Sequence, residues 1–244
     1  MAGGGRPQLI AGVGLTEVEY NVMDYSELFD SIAYESYARQ WALDRKIGEF
    51  AWELDPTSAS LLFSDGSSFE TQFIGTHSEI SESWRWADAN PSAELPEHAV
   101  ALVRQVRQEL CDCIWFTKDE FEIPSLVGAP TPEGLAAIAS TRGKPCFSMG
   151  LEHTDGTIYV GLDGSPISHE YTLAWFEAAF QAMMWTPGDH LSRIHMFARS
   201  NSAVTLVEDT PGRTVLGFAD GGRAVVDYSS TPDGGVEMSF SAQP

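Results

Sequence analysis

The chain has 244 residues, 43% hydrophobic and 20% charged, a globular composition with enough material for a real core in one large domain or two small ones. Its 35 Asp and Glu outnumber 14 Lys and Arg, and the net charge of -21 sets up a field that repels phosphate backbones and anionic membranes; nucleic-acid and membrane partners are therefore not expected. No apolar run approaches the roughly 20 residues needed to cross a bilayer.

Residues 1–22 carry five glycines and lack the charged-then-apolar order of a signal peptide, so they read as a flexible tail, with Met23 a possible natural start. Asp24 and Glu27 form a capping-box-like pair. Phe29, Ile32, Ala33, Tyr37 and Trp41 follow at helical spacing, which predicts a helix to about Leu43. Four strand-like segments come next, at 49–54, 60–63, 68–74 and 82–88, with turns at Asp55-Pro56 and Asp65-Gly66. Leu95, Ala99, Leu102, Val103, Val106 and Leu110 mark one face of a second helix over about 96–110. Residues 117–132, acidic and with three prolines, read as a loop. Thr131-Pro132-Glu133 is a helix start, and that helix ends before Gly143. Two strands, 146–153 and 157–162, flank the hairpin signal Asp155-Gly156.

The pattern then restarts after a linker at 161–166. Ser168 can cap a helix through Leu173, Phe176, Phe180, Met183 and Met184, ended by Pro187-Gly188. Strands are expected at 193–198, 203–207, 214–218, 224–228 and 236–240. The expectation is an α+β protein of two helix-plus-antiparallel-sheet units. It comprises a tail (1–22), a larger domain (23–164) and a smaller one (165–244).

One segment is distinctive. Gly75-Thr76-His77-Ser78 is followed by Trp84-Arg85-Trp86-Ala87-Asp88-Ala89-Asn90-Pro91-Ser92, with Ala59-Ser60-Leu61-Leu62-Phe63 upstream. Together with the helix before it, this resembles a family of uncharacterised bacterial proteins, a domain of unknown function. That family carries a Gly-Thr turn and a Trp-x-Trp-Ala-Trp-Ala-Asn-Pro strand end with a helix after it. The resemblance covers roughly residues 24–162, and Asp88 stands where the third Trp would be. It implies a fold and no chemistry.

Trp84, Trp86 and Asp88 alternate along the expected strand and so share a face. With His77 after the Gly-Thr turn and Asn90 at the strand end, they are the candidate ligand-binding residues. Indole rings would stack on a flat or cationic group beside a carboxylate. The competing reading places both tryptophans in the core, with Asp88 paired or at the rim. Cys111-x-Cys113 lacks zinc-ligand spacing, no two histidines stand as His-x-x-x-His, and Asp65-Gly66-Ser67 and Asp163-Gly164-Ser165 read as turns rather than nucleophile elbows. No metal, cofactor or catalytic residue is expected, and whether the chain is an enzyme stays open. The odd cysteine count (Cys111, Cys113, Cys146) without framework spacing fits a reducing, cytoplasmic setting. The leading expectation is a non-catalytic binding or interaction module, of inhibitor or immunity type, that takes a basic protein partner. The alternative is a small-ligand-binding protein or enzyme with an aromatic cleft around Trp84, Trp86 and Asp88.

Overall fold

The computed structural model describes residues 24–48, 51–126, 128–143, 147–163, 171–184, 188–232 and 236–243. The expected tail, Met23, Ser168 and Pro187 lie outside them.

Helix α1 spans Tyr25–Ile47. Asp24 is extended and accepts from the Ser26 N–H at 3.1 Å, and Arg45 and Lys46 complement the dipole in the last turn. The helix runs one turn beyond the expected end because Ile47 repeats the burial of Leu43 four residues on. It stops at Gly48, whose φ of 65° takes the chain out of helical space.

Seven antiparallel strands form the larger sheet: β1 Trp52–Asp55, β2 Ser60–Phe63, β3 Ser68–Ser78, β4 Ser83–Trp86, β5 Glu120–Glu122, β6 Phe147–His153 and β7 Gly156–Leu162. The long strand β3 organises it. β2 pairs with its first residues, β4 with Gly75–Ser78, and β7 along most of its length. The Asp65-Gly66 turn forms as expected, with Gly66 at φ 86° and Asp65 accepting from the Ser67 N–H at 2.8 Å. Helix α2 (Ala101–Glu109) follows a 3-10 turn, Glu97–Val100, and the short α3 spans Ile114–Thr117. Helix α4, Pro132–Arg142, is capped by Thr131, which accepts from the Gly134 N–H at 3.1 Å.

The smaller unit comprises α5 (Leu173–Met183), α6 (His190–Ser200) and a four-stranded meander: β8 Thr205–Thr210, β9 Arg213–Gly217, β10 Arg223–Ser230 and β11 Val236–Gln243. The fold is α+β with two antiparallel sheets among the described residues.

Three local expectations are corrected. The strand expected at 193–198 is the middle of α6. Asp189 caps that helix, and Ile194, Phe197 and Ala198 bury at spacings of three and four. Arg193-Ile194-His195-Met196 alternates polar and apolar, which mimics a strand only because the polar Arg193 is itself buried. The 117–132 segment contains β5 as well as loop; a three-residue strand with one buried side chain, Phe121, has no period to detect. The strand expected at 82–88 ends at Trp86, and Ala87–Ala89 forms a 3-10 turn, so Asp88 is not on the strand.

Helix α1 serves both units. Tyr25, Leu28, Ile32, Leu43 and Ile47 join the core of the larger sheet, whereas Ala33, Tyr34 and Ala38 pack with Phe176, Phe180 and Phe197 of α5 and α6. A buried ion pair crosses the same junction. Arg193 Nε of α6 lies 2.5 Å from Asp30 Oδ1 of α1, with its guanidinium over the Phe29 ring.

Candidate functional site

The tryptophan motif is core. Trp84 and Trp86 are 0% exposed. They meet edge to face at 5.2 Å, extended by Tyr159 against Trp84 and Phe116 against Trp86. Trp86 Nε1 donates to the Trp115 carbonyl at 3.0 Å, whereas buried Trp84 Nε1 has no partner among the described residues. Room for the rings comes from Gly75, cross-strand from Trp86: a Cβ there would overlap the Trp84 ring and sit 2.8 Å from the Arg85 carbonyl. Gly75→Ala is therefore expected to cost about 1–3 kcal/mol by overpacking. An unchanged denaturation midpoint would mean that the indole can swing aside.

The other proposed ligand residues are dispersed. His77 lies on β3, half-buried, cross-strand from Trp84 and Thr157. Asp88 holds Arg107 of α2 at 2.7 Å; the same guanidinium reaches Asp119 at 2.7 Å and the Phe116 carbonyl at 2.9 Å. This network ties the end of β4 to α2 and to the approach to β5. Asn90, after the 3-10 turn, does line a cleft of about 520 Å³ with Trp52, Leu54, Phe73, Leu151 and His153. Its Oδ1 is buried without a partner among the described residues.

Cys111 is exposed while Cys113 is buried, and burial pushes the Cys113 thiol up, away from the reactive thiolate. Cys146 and His169 lie outside the described residues. His190 and His195 sit on α6, and His195 Nε2 is 3.0 Å from Thr214 Oγ1 and 3.1 Å from Asp209 Oδ1 on the smaller sheet.

A second cleft, of about 670 Å³, collects residues far apart in the chain: Arg39 from α1, Thr141 and Arg142 from the end of α4, and Arg199 with Asn201 and Ser202 from the end of α6. Ser31, Glu35 and Arg39 share one face of α1 at four-residue spacing. Arg39 is held by Glu35 at 2.6 Å, and Glu35 also accepts from the Tyr171 hydroxyl. Arg142 donates to Ser31 Oγ at 2.8 Å. Read along the chain, Arg142 and Arg199 are ordinary last-turn cations of two helices. The usable signal was the scarcity of basic residues, which makes any convergence of three notable.

Residues 26–164 match the sequence profile of a family described as "Family of unknown function (DUF6882)". The chain belongs to this family. The DUF6882 segment holds most of α1, the whole larger sheet and α2 to α4, and the Trp-Arg-Trp motif lies at its centre. Helices α5 and α6 and the smaller sheet follow it. No curated protein and no solved structure matches the chain. Within the DUF6882 segment the motif's tryptophans build the core under β3 and β4 rather than face solvent.

Proposed function

We propose that this DUF6882 protein is a non-catalytic binding module that docks a basic partner protein on the acidic end of its larger sheet, in a reducing, cytoplasmic setting. The observation that carries this reading is where the uncompensated carboxylates lie. Arg39, Arg85, Arg104, Arg107, Arg193 and Arg213 are already taken up in ion pairs within the chain. At the β3–β4 tip, on β5 and at the β6–β7 tip, Glu79, Glu82, Glu122, Glu152 and Asp155 are exposed, and none has an ion-pair partner among the described residues. The neighbouring strands bring these segments together: Ser83 pairs with Glu122, and the Glu79 N–H donates to the Asp155 carbonyl. Ile80, 79% exposed and next to Glu79 in the chain, and Leu126, 76% exposed and four residues after Glu122, supply apolar contact. A masking role, as in an inhibitor or immunity protein, suits such a surface.

The test is the association rate of the protein that co-purifies with this chain, measured against ionic strength. A field reaching about 8 Å at physiological salt steers encounter, so the rate should fall by about tenfold or more from low to high salt while dissociation changes little. Glu79→Lys, Glu82→Lys and Glu122→Lys together should abolish that dependence. A rate flat in salt, or one indifferent to the reversal, would remove the electrostatic reading. The cleft at Asn90 favours a second reading, a small ligand with a hydrogen-bond donor for Asn90 Oδ1 and an apolar body against Trp52 and Phe73. Such binding would survive the charge reversal and be lost in Asn90→Leu.

A further inference from the structure

We propose that the cleft between α1, α4 and α6 is a binding site for a small molecule bearing a phosphate group. Only 14 basic residues stand against 35 acidic ones in the whole chain, yet three arginines from three helices converge on this one cleft. Chance placement in such a composition would scatter them, and the molecule's own carboxylates would capture them singly, as happens to Arg85 and Arg104. Here the compensation is incomplete. Among the described residues lining the cleft, Glu35 is the single carboxylate, and it is engaged by Arg39 and Tyr171. Arg142 meets a hydroxyl, Ser31, rather than a carboxylate. Arg199 makes no ion pair or hydrogen bond among the described residues.

Complementing helix dipoles does not account for this arrangement. One cation in a last turn contributes about 0.3–1 kcal/mol at its own helix end, and nothing in that role calls for two such ends to share a cleft with a third arginine. Like charges brought together repel one another unless an anion sits among them. Around them stand further donors. Thr141 Oγ1 is buried with no partner among the described residues. Asn201 uses its Oδ1 on the Ala203 N–H at 3.0 Å and one side-chain amide N–H on the Tyr171 hydroxyl, which leaves its second amide N–H to donate. Ser202 adds a hydroxyl to the lining. Guanidiniums plus hydroxyl and amide donors outnumber what a planar carboxylate accepts and suit the oxygens of a tetrahedral phosphate, to which arginine presents a rigid fork. The volume, about 670 Å³, leaves space for an organic body on the phosphate. The Tyr171 ring stands in the wall as an apolar surface for it. The negative field of the rest of the molecule weakens capture of any anion from afar, so binding depends on these local contacts.

The experiment titrates inorganic phosphate into the full chain at constant ionic strength and follows heat and melting temperature. Sulfate and acetate serve as comparison anions, and Arg199→Gln, Arg142→Gln and Arg223→Gln as variants. Saturable binding is expected, with sulfate close to phosphate and acetate much weaker. Arg199→Gln should weaken phosphate by about tenfold, the loss of one charge-assisted contact. Arg223, exposed on β10, is the control and should leave affinity unchanged. Arg199 is also exposed, so its variant is expected to fold; Arg199→Lys, which keeps the charge and loses the fork, should fall between wild type and Arg199→Gln. Absence of saturation, equal affinity in Arg199→Gln and wild type, or tighter binding of acetate than phosphate would each overturn the proposal. The acidic edge involves none of these residues, so failure at either surface leaves the other standing.

Discussion

Trp86→Ala is expected to destabilise the protein by about 3–5 kcal/mol, the usual range for truncating a buried tryptophan. The indole is fully enclosed and packs on Trp84 and Phe116. Its removal also strips the Trp115 carbonyl of its donor, leaving a polar group without that hydrogen bond. Urea denaturation should show a large fall in midpoint with little change in slope. The neighbouring tryptophan supplies a sharper comparison. Trp84 Nε1 is buried with no partner among the described residues, so Trp84→Phe removes an unsatisfied donor, whereas Trp86→Phe breaks a hydrogen bond. Trp86→Phe should therefore cost more than Trp84→Phe. A Trp86→Ala variant of wild-type stability that has lost a binding activity would instead make this residue part of a ligand surface.

Asp30→Ala is expected to cost a comparable amount, about 3–5 kcal/mol, because it leaves the Arg193 guanidinium buried without its carboxylate. Arg193 is only 1% exposed, and the pair spans 163 residues of sequence to join α1 to α6. Replacing both partners with apolar residues, Asp30→Leu with Arg193→Met, should recover most of the loss, since the pair's attraction is largely offset by the cost of taking two charges out of water. Thermal unfolding of the two single variants and the double variant makes a complete cycle. If the double variant is as unstable as the sum of the singles, the two groups act independently and the pair does not hold the junction together.

Much of the larger unit was legible because its signals are local. Asp24 and Thr131 cap helices where expected, Asp65-Gly66 turns the chain between β2 and β3, and β2 has the bounds read from sequence. Caps and turns depend on a side chain bonding backbone two or three residues away, which a sequence displays directly. The family, too, was legible from Trp84 to Pro91, because a packed aromatic motif is carried by contiguous residues. The candidate sites were less so. Trp84, Trp86 and Asp88 were read as one strand face, but the strand stops at Trp86, and Asp88 turns to Arg107.

By itself, then, the sequence determined the α+β class, the acidic field and the caps and turns that place most of the elements, since each follows from composition or from short-range bonding. Tertiary structure alone decided the rest. Arg193 occupies a core position on α6 because Asp30, far along the chain, pairs with it. β5 exists because β4 offers it a register. The arginine cleft exists because α1, α4 and α6 meet, bringing together residues near 31–39, 141–142 and 199–202. A buried charge and a convergent cleft each owe their energetics to partners more than a hundred residues away, and no period or spacing within one segment records them.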